Sequence, residues 1–68
     1  RPADALFAEE KFRLQELLHA EGFYDGTIDG DLGAGTRKAI KAFQRTIGMA
    51  PDGKPTRAVL EALRKDKK

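Results

Sequence analysis

The chain has 68 residues, a formal net charge of +2, no cysteine and a single histidine. A chain of this length folds as one small domain that buries only about 60% of its unfolded surface, which leaves little room for a catalytic cleft. Without cysteine there is neither a disulfide nor a thiolate metal site. Serine is also absent, which removes another common acyl-transfer nucleophile. These features argue against a catalytic domain, and we expect no catalytic residues, no metal and no cofactor.

The first predicted helix runs from Ala5 to Ala20, with Asp4 as its N-cap and Gly22 just beyond its C-terminal end. Its clearest apolar stripe has i, i+3, i+4 spacing and consists of Leu14, Leu17 and Leu18. Phe12 lies off this stripe and has two open placements, covering the end of the core or standing partly exposed. Each predicted helix is too short to persist alone in water, so tertiary packing must hold it.

A glycine-rich loop, residues 23–33, follows the first helix and is long for a connection in so small a bundle. Its pairs Asp25-Gly26 and Asp29-Gly30 predict tight turns in which glycine supplies a positive φ. We expect the loop's larger apolar side chains to fold inward and close one end of the core. These are Phe23, Ile28 and Leu32.

The second predicted helix begins at Gly33 or Ala34, ends at Thr46 or Ile47 and is closed by Gly48. Its buried stripe is predicted to be Ala39, Ile40, Phe43 and Ile47.

The third helix is predicted to start at Pro55, because proline is favoured at the first helical position. Its apolar residues are Val59, Leu60 and Leu63. We expect one domain over residues 1–68, with a core of about 5–64 and a basic tail or linker at 65–68. The chain starts without methionine and without a hydrophobic run, so we expect an excised domain or a processed chain, with any targeting sequence upstream.

A weak internal repeat links the two turns. Asp29-Gly30, Thr36-Arg37 and Ile40 recur as Asp52-Gly53, Thr56-Arg57 and Leu60. The spacing from Asp to Thr is seven residues in the first copy and four in the second. Both copies describe a turn that leads into the start of a helix.

Several short elements, in this order and spacing, resemble one known family. They are Leu14-Gln15, Gly22-Phe23-Tyr24, Asp29-Gly30, Thr36, Ala39-Ile40 and Phe43-Gln44. The family is that of the small peptidoglycan-binding domains, and the resemblance covers roughly residues 10–63. One departure is Ala34, since proline frequently follows the glycine that starts the second helix in that family.

The resemblance implies an all-α, compact three-helix bundle with a long Gly/Asp loop between helices 1 and 2. It also implies a non-catalytic module that binds peptidoglycan (murein), through its glycan or its stem peptide, and anchors a cell-wall-remodelling enzyme. The short second turn is similar to modules appended to some lytic murein transglycosylases. We expect a monomeric part of a larger enzyme chain, in the periplasm or cell envelope, with no nucleic-acid or membrane partner.

Six residues are the candidate ligand-binding set: Tyr24, Asp29, Gly30, Thr36, Arg37 and Gln44. Tyr24 can stack on a sugar, and Arg37, like Arg45, can pair with a peptide carboxylate. Each residue also has a structural interpretation. Asp29 can bond its own turn, and Gly30 can serve the loop backbone alone. Thr36 can brace the first turn of its helix, and Gln44 can tie the loop backbone to the second helix. Tyr24 can form the rim of the core, and Arg37 can be a solvated surface residue.

Other functions fit the residues less well. A calcium loop that starts at Asp25 would place Thr36 where a bidentate glutamate is required. No pair of carboxylates suggests glycoside hydrolysis. A three-helix protein-docking or nucleic-acid-binding domain is the alternative. The long loop before Gly33 and the modest net charge argue against a DNA-binding helix-turn-helix.

Overall fold

The computed structural model describes residues 6–66, which form three helices. Their bounds are Ala8–Ala20 for α1, Ala34–Thr46 for α2 and Arg57–Asp66 for α3. The described residues contain no strand, and α1 packs against both α2 and α3. The predicted all-α three-helix bundle is confirmed, including the long loop between α1 and α2.

Helix α1 begins three residues later than predicted. Phe7 is its N-cap, with an extended ψ of 164°, and Leu6 lies before the helix but is buried. The Glu10 carboxylate accepts a hydrogen bond from the Phe7 backbone N–H at 2.8 Å, which fixes this start. The predicted N-cap, Asp4, lies outside the described residues. At the other end, Gly22 has a φ of 85° just after the C-cap residue, as predicted.

Helix α2 has the predicted bounds, and Gly48 follows it with a φ of 74°. Three of its four predicted core residues are buried, namely Ala39, Ile40 and Phe43. The fourth prediction was wrong. Ile47 is the C-cap residue and is 39% exposed, because the chain has already left the helical path there.

Helix α3 begins at Arg57 rather than at Pro55. The Thr56 hydroxyl accepts a hydrogen bond from the Val59 N–H at 3.3 Å, and the Thr56 carbonyl accepts one from the Leu60 N–H at 3.1 Å. Thr56 is therefore the N-cap, a role for which threonine is favoured. Pro55 precedes the helix and does not belong to its first turn.

The core lies where the apolar stripes of the three helices meet. Its fully buried members are Leu14, Leu18, Ile40, Phe43, Leu60 and Leu63. From the loop, Phe23 packs edge-on against Phe43 with ring centroids 5.8 Å apart, and Leu32 also packs against the core. Ile28 is half-buried, whereas Phe12 is 42% exposed. Within residues 6–66 no helix is both long and apolar enough to cross a membrane.

Candidate functional site

The loop that leads into α2 is held by one buried side chain, that of Gln15 on α1. Its Oε1 accepts hydrogen bonds from the backbone N–H groups of Asp29 at 3.0 Å and Gly30 at 2.7 Å. Its Nε2 donates to the Asp31 carbonyl at 3.0 Å and to the Thr36 hydroxyl at 3.1 Å. Gln15 is fully buried, so both ends of its amide are used in tying the loop and the start of α2 to α1.

The turn at Asp29 and Gly30 is also closed from within. The Asp29 carboxylate accepts a hydrogen bond from the Asp31 N–H at 2.9 Å, and Gly30 has a φ of 80°. This confirms the predicted bond between Asp29 and its own turn. Thr36 braces a different contact from the one predicted. Its hydroxyl accepts a hydrogen bond from Gln15 on α1, so it links two helices.

A second glutamine, Gln44 on α2, holds the second turn in the same way. Its Oε1 accepts from the Gly53 N–H at 2.9 Å, and its Nε2 donates to the Asp52 carboxylate at 2.9 Å. Gln44 does tie loop backbone to α2, as predicted, but the loop is the one between α2 and α3 and not the glycine-rich loop before α2. Asp52 also accepts from the Lys54 N–H at 3.0 Å, and these two bonds lower the pKa of its carboxyl group below the usual value.

Tyr24 is half-buried and held in one position at the edge of the core. Its hydroxyl donates to the Thr27 carbonyl at 2.6 Å. A Cβ on Gly26 would lie 2.7–2.9 Å from the tyrosine ring and hydroxyl, and one on Gly35 would lie 3.7 Å from the ring. The ring thus spans the space between the loop and the first turn of α2. Gly26 does not have the positive φ predicted for it. It is needed because the tyrosine lies so close.

The start of α2 opens onto a surface depression of about 430 Å³, which we call the basic groove. Its lining residues are Gly33, Ala34, Arg37, Lys38 and Lys41. Gly33 is the N-cap of α2 and brings no side-chain cap, and the first turn of α2 contains no acidic residue. The three basic side chains are exposed, so the groove presents positive charge to solvent.

The candidate residues divide into a surface group and a supporting group. Asp29 and Arg37 are exposed, and Tyr24 and Gly30 are half-buried. Thr36 and Gln44 are only 1% and 2% exposed, and their polar atoms bond within the protein. Neither of these two side chains reaches the surface, so any effect on a ligand would act through the turns that they hold. All but Gln44 lie around the first turn of α2.

Three residues of this region were not among the candidates. Gln15 belongs to the sequence pattern only through the Leu14-Gln15 dipeptide, yet its side chain bonds the backbone of residues 29–31. The sequence does contain a signal for it, because an apolar residue followed by glutamine precedes both copies of the internal repeat, as Leu14-Gln15 and as Phe43-Gln44. Lys38 and Lys41 are the others. The sequence shows that Lys38 and Lys41 have helical spacing with Arg37. It does not show the groove beside them, which is formed by tertiary packing.

The described side chains do not assemble a metal site. No three acidic or histidine side chains among residues 6–66 lie close enough together to hold a metal ion. Asp29 and Asp31 are both exposed, and the Asp29 carboxylate is already engaged by backbone and glutamine N–H groups. The groups that this region presents are an aromatic ring, exposed cations and a turn held by hydrogen bonds.

Comparison with known proteins identifies the fold and the family together. The family model of the peptidoglycan binding domain matches residues 9–63. The N-acetylmuramoyl-L-alanine amidase CwlM of Mycobacterium tuberculosis is 40% identical over 48 residues, which is 71% of this chain and 12% of that protein. The spore cortex-lytic enzyme of Bacillus cereus is 36% identical over 63 residues, 87% of this chain and 24% of that protein.

A solved structure agrees with these relatives. SltB3 from Pseudomonas aeruginosa, in complex with NAG-anhNAM-pentapeptide, superimposes with a TM-score of 0.85 and 43% sequence identity. The match covers 93% of this chain and 17% of that one. The chain therefore spans a small part of each relative, between 12% and 24% of their lengths for the proteins named here. It belongs to the peptidoglycan-binding domain family and is a peptidoglycan-binding module of the kind found in cell-wall enzymes.

Proposed function

We propose that this chain is a non-catalytic anchor that binds peptidoglycan and holds a cell-wall-remodelling enzyme on its polymeric substrate. The observation that carries it is the cluster around the first turn of α2, which brings together Tyr24 and Asp29 from the loop and Arg37 from α2. Gln15 holds the turn at Asp29 and Gly30 through two hydrogen bonds. A rigid display limits the conformational entropy lost on binding. The similarity of this chain to small parts of larger wall enzymes supports the same role.

The binding surface of the proposal is the exposed part of this cluster. Tyr24 offers a ring for stacking on a sugar, Asp29 a carboxylate for an amine, and Arg37 a guanidinium for a carboxylate. Gly30 lets the turn present Asp29, while Thr36 and Gln44 act from beneath by holding the two turns. Catalysis would belong to another part of the host chain.

Tethering explains why so small a site is sufficient. When a second domain also engages the wall, binding by the module becomes intramolecular and is governed by effective concentration, so weak contacts give useful retention. We place the module in the cell envelope. The short second turn, which is similar to that of modules appended to some lytic murein transglycosylases, leads us to propose a periplasmic host of that type.

The test is sedimentation of the purified chain with isolated sacculi, comparing wild type with Tyr24→Ala and Tyr24→Phe. We expect the wild type to pellet with sacculi and Tyr24→Phe to do so almost equally, because it keeps the ring against Gly26 and Gly35. Tyr24→Ala should bind about tenfold more weakly, a change of ~1.4 kcal/mol. Circular dichroism melts would establish that each variant is folded.

Two outcomes would contradict the proposal. A folded wild-type chain that stays in the supernatant would show that the module does not bind the wall, and would favour a protein-docking role. A folded Tyr24→Ala variant that pellets as well as wild type would remove Tyr24 from the binding surface.

A further inference from the structure

We propose that the basic groove binds free carboxylates of the peptidoglycan stem peptide, so that this part of the module's surface recognises peptide rather than glycan. This inference rests on the proposed function and makes it more specific. It assigns ligand contact to Lys38 and Lys41, two residues that lie outside the candidate set, alongside Arg37.

The first observation is the concentration of charge. Three basic side chains line the groove and no acidic one does, whereas the whole chain has a net charge of only +2. Among the described residues, none of the three forms an ion pair. The ion pairs found there are Arg13–Glu16, Arg57–Glu10 and Arg64–Glu61. All three of these ion pairs lie outside the groove.

The second observation is that this arrangement opposes helix stability. Arg37 and Lys41 are four residues apart, and Lys38 and Lys41 are three apart, so like charges face each other on one side of α2. The N-terminal end of a helix also disfavours cations, and Arg37 lies within one turn of the start of α2. Helix α1, by contrast, has Glu9 and Glu10 in its first turn. A local arrangement that weakens the fold without a compensating internal contact is typical of a functional site. An anion bound in the groove would relieve the repulsion.

The third observation is that Lys41 is positioned by the neighbouring turn. A Cβ on Gly53 would lie 3.1 Å from the Lys41 Cγ and Cε atoms, so the lysine stem lies directly over this glycine. Gly53 is buried, and its N–H is held by Gln44 at 2.9 Å. The second turn thus supports one wall of the groove. Gln44 therefore affects the groove indirectly, because it holds Gly53, against which Lys41 packs.

The charge of the groove selects among the parts of peptidoglycan. The glycan presents hydroxyl and N-acetyl groups, which carry no charge, while uncrosslinked stem peptides end in free carboxylates. A guanidinium grips a carboxylate through two parallel hydrogen bonds, and a lysine adds a point charge. Three cations around one depression therefore match the peptide.

The experiment is a titration of the isotope-labelled 68-residue chain, followed by NMR, with three soluble probes. They are a disaccharide-tetrapeptide, the same compound with its carboxyls amidated, and a neutral N-acetylglucosamine tetramer. We expect the tetrapeptide to shift the amide signals of residues 33–41 and to bind more weakly as salt is added. Amidation should lower the affinity about tenfold, and so should the double variant Lys38→Gln/Lys41→Gln.

The matched control is Lys11→Gln/Lys65→Gln, which removes the same charge from exposed positions on α1 and α3 and should bind within about twofold of wild type. Equal affinity for the amidated and free tetrapeptides would overturn the inference, as would an equal loss in the control variant. A glycerol-phosphate polymer is titrated separately from these three probes, and tighter binding of that polymer than of the tetrapeptide would reassign the groove to phosphodiesters. Sacculus sedimentation of the wild type separates a failure of the proposed function from a failure of this inference. If the wild type pellets but amidation has no effect, only this inference fails.

Discussion

Two buried glutamines determine how this small domain is built at the scale of single residues. Gln15 and Gln44 each lie on the inner face of a helix and each accept backbone N–H groups from an Asp-Gly turn. A buried amide is costly unless both of its ends are bonded. Within residues 6–66 no buried side-chain nitrogen or oxygen lacks a partner. The two glutamines therefore link a helix to a turn, and neither leaves an unsatisfied polar group in the apolar core.

Their roles predict unequal effects of the same substitution. Gln15→Leu keeps the volume but leaves the Asp29 and Gly30 N–H groups without their acceptor, so we expect a loss of about 3 kcal/mol in the free energy of unfolding. Gln44→Leu leaves one such N–H group, that of Gly53, and should cost about 1–2 kcal/mol. Urea denaturation monitored by circular dichroism measures both. An equal or larger loss for Gln44→Leu would contradict the ranking.

At the scale of elements, the molecule contains the same unit twice: a helix with a clamping glutamine, an Asp-Gly turn, and the start of the next helix. Gly30 and Gly53 have φ values of 80° and 71°, and Asp29 and Asp52 each bond the N–H two residues on. The copies differ at their threonines. Thr56, four residues after its Asp, caps α3, whereas Thr36, seven residues after its Asp, lies inside α2 and bonds Gln15. The first copy therefore has an uncapped helix start beside the groove.

Three glycines with positive φ should differ in how much an alanine substitution destabilises the fold. All three of Gly30, Gly48 and Gly53 have positive φ, so alanine costs roughly 1 kcal/mol at each through backbone strain alone. At Gly48 a Cβ would meet nothing within 4 Å, and at Gly30 only the Phe12 ring at 3.7 Å. At Gly53 it would lie 3.2 Å from the Arg37 carbonyl oxygen and 3.1 Å from Lys41.

We therefore expect Gly53→Ala to be the most destabilising of the three, by about 1 kcal/mol or more beyond Gly48→Ala, since the surrounding atoms must also move. Thermal melts of the three variants beside wild type provide the comparison. If Gly48→Ala and Gly53→Ala melt at the same temperature, the close contact at Gly53 has no energetic consequence.

At the scale of the whole molecule, one ion pair joins the beginning of α1 to the beginning of α3. The Arg57 guanidinium donates two hydrogen bonds to the Glu10 carboxylate, at 2.6 Å and 2.8 Å, across 47 residues of sequence. This bonding, with a further hydrogen bond from the Phe7 N–H, lowers the pKa of Glu10 from 4.5 to about 2. The pair links the start of α3 directly to the start of α1.

The lowered pKa predicts how stability depends on pH. The folded state binds the proton on Glu10 more weakly than the unfolded state does, so its contribution is complete above about pH 4.5 and is lost as the pH falls towards 2. The urea midpoint should therefore fall over this range. Glu10→Gln should show a shallower fall, while Glu9→Gln, an exposed neighbour on α1, should follow wild type. Parallel curves for wild type and Glu10→Gln would contradict this assignment.

Most of the fold could be predicted because its signals are local. Helical spacing gave the three helices and the buried residues Leu14, Leu17, Ile40, Phe43 and Leu60, and Gly22 and Gly48 marked two helix ends. The errors lie at the other boundaries. Pro55 was assigned to the first turn of α3, although Thr56 caps that helix. Ile47 was assigned to the core because periodicity alone does not show where the helix path ends.

The sequence by itself determined the helices, the Asp-Gly turns and the family, because each depends on residues that are close along the chain. Only the tertiary structure decided which polar residues are structural and which are available to a ligand. Gln15 and Asp29 are 14 residues apart, and Glu10 and Arg57 are 47 apart, so no local pattern could pair them. The basic groove belongs to the same class. The sequence of α2 supplies its positive charge. The depression, and the turn that supports Lys41, exist only once α2 has packed against Gly53.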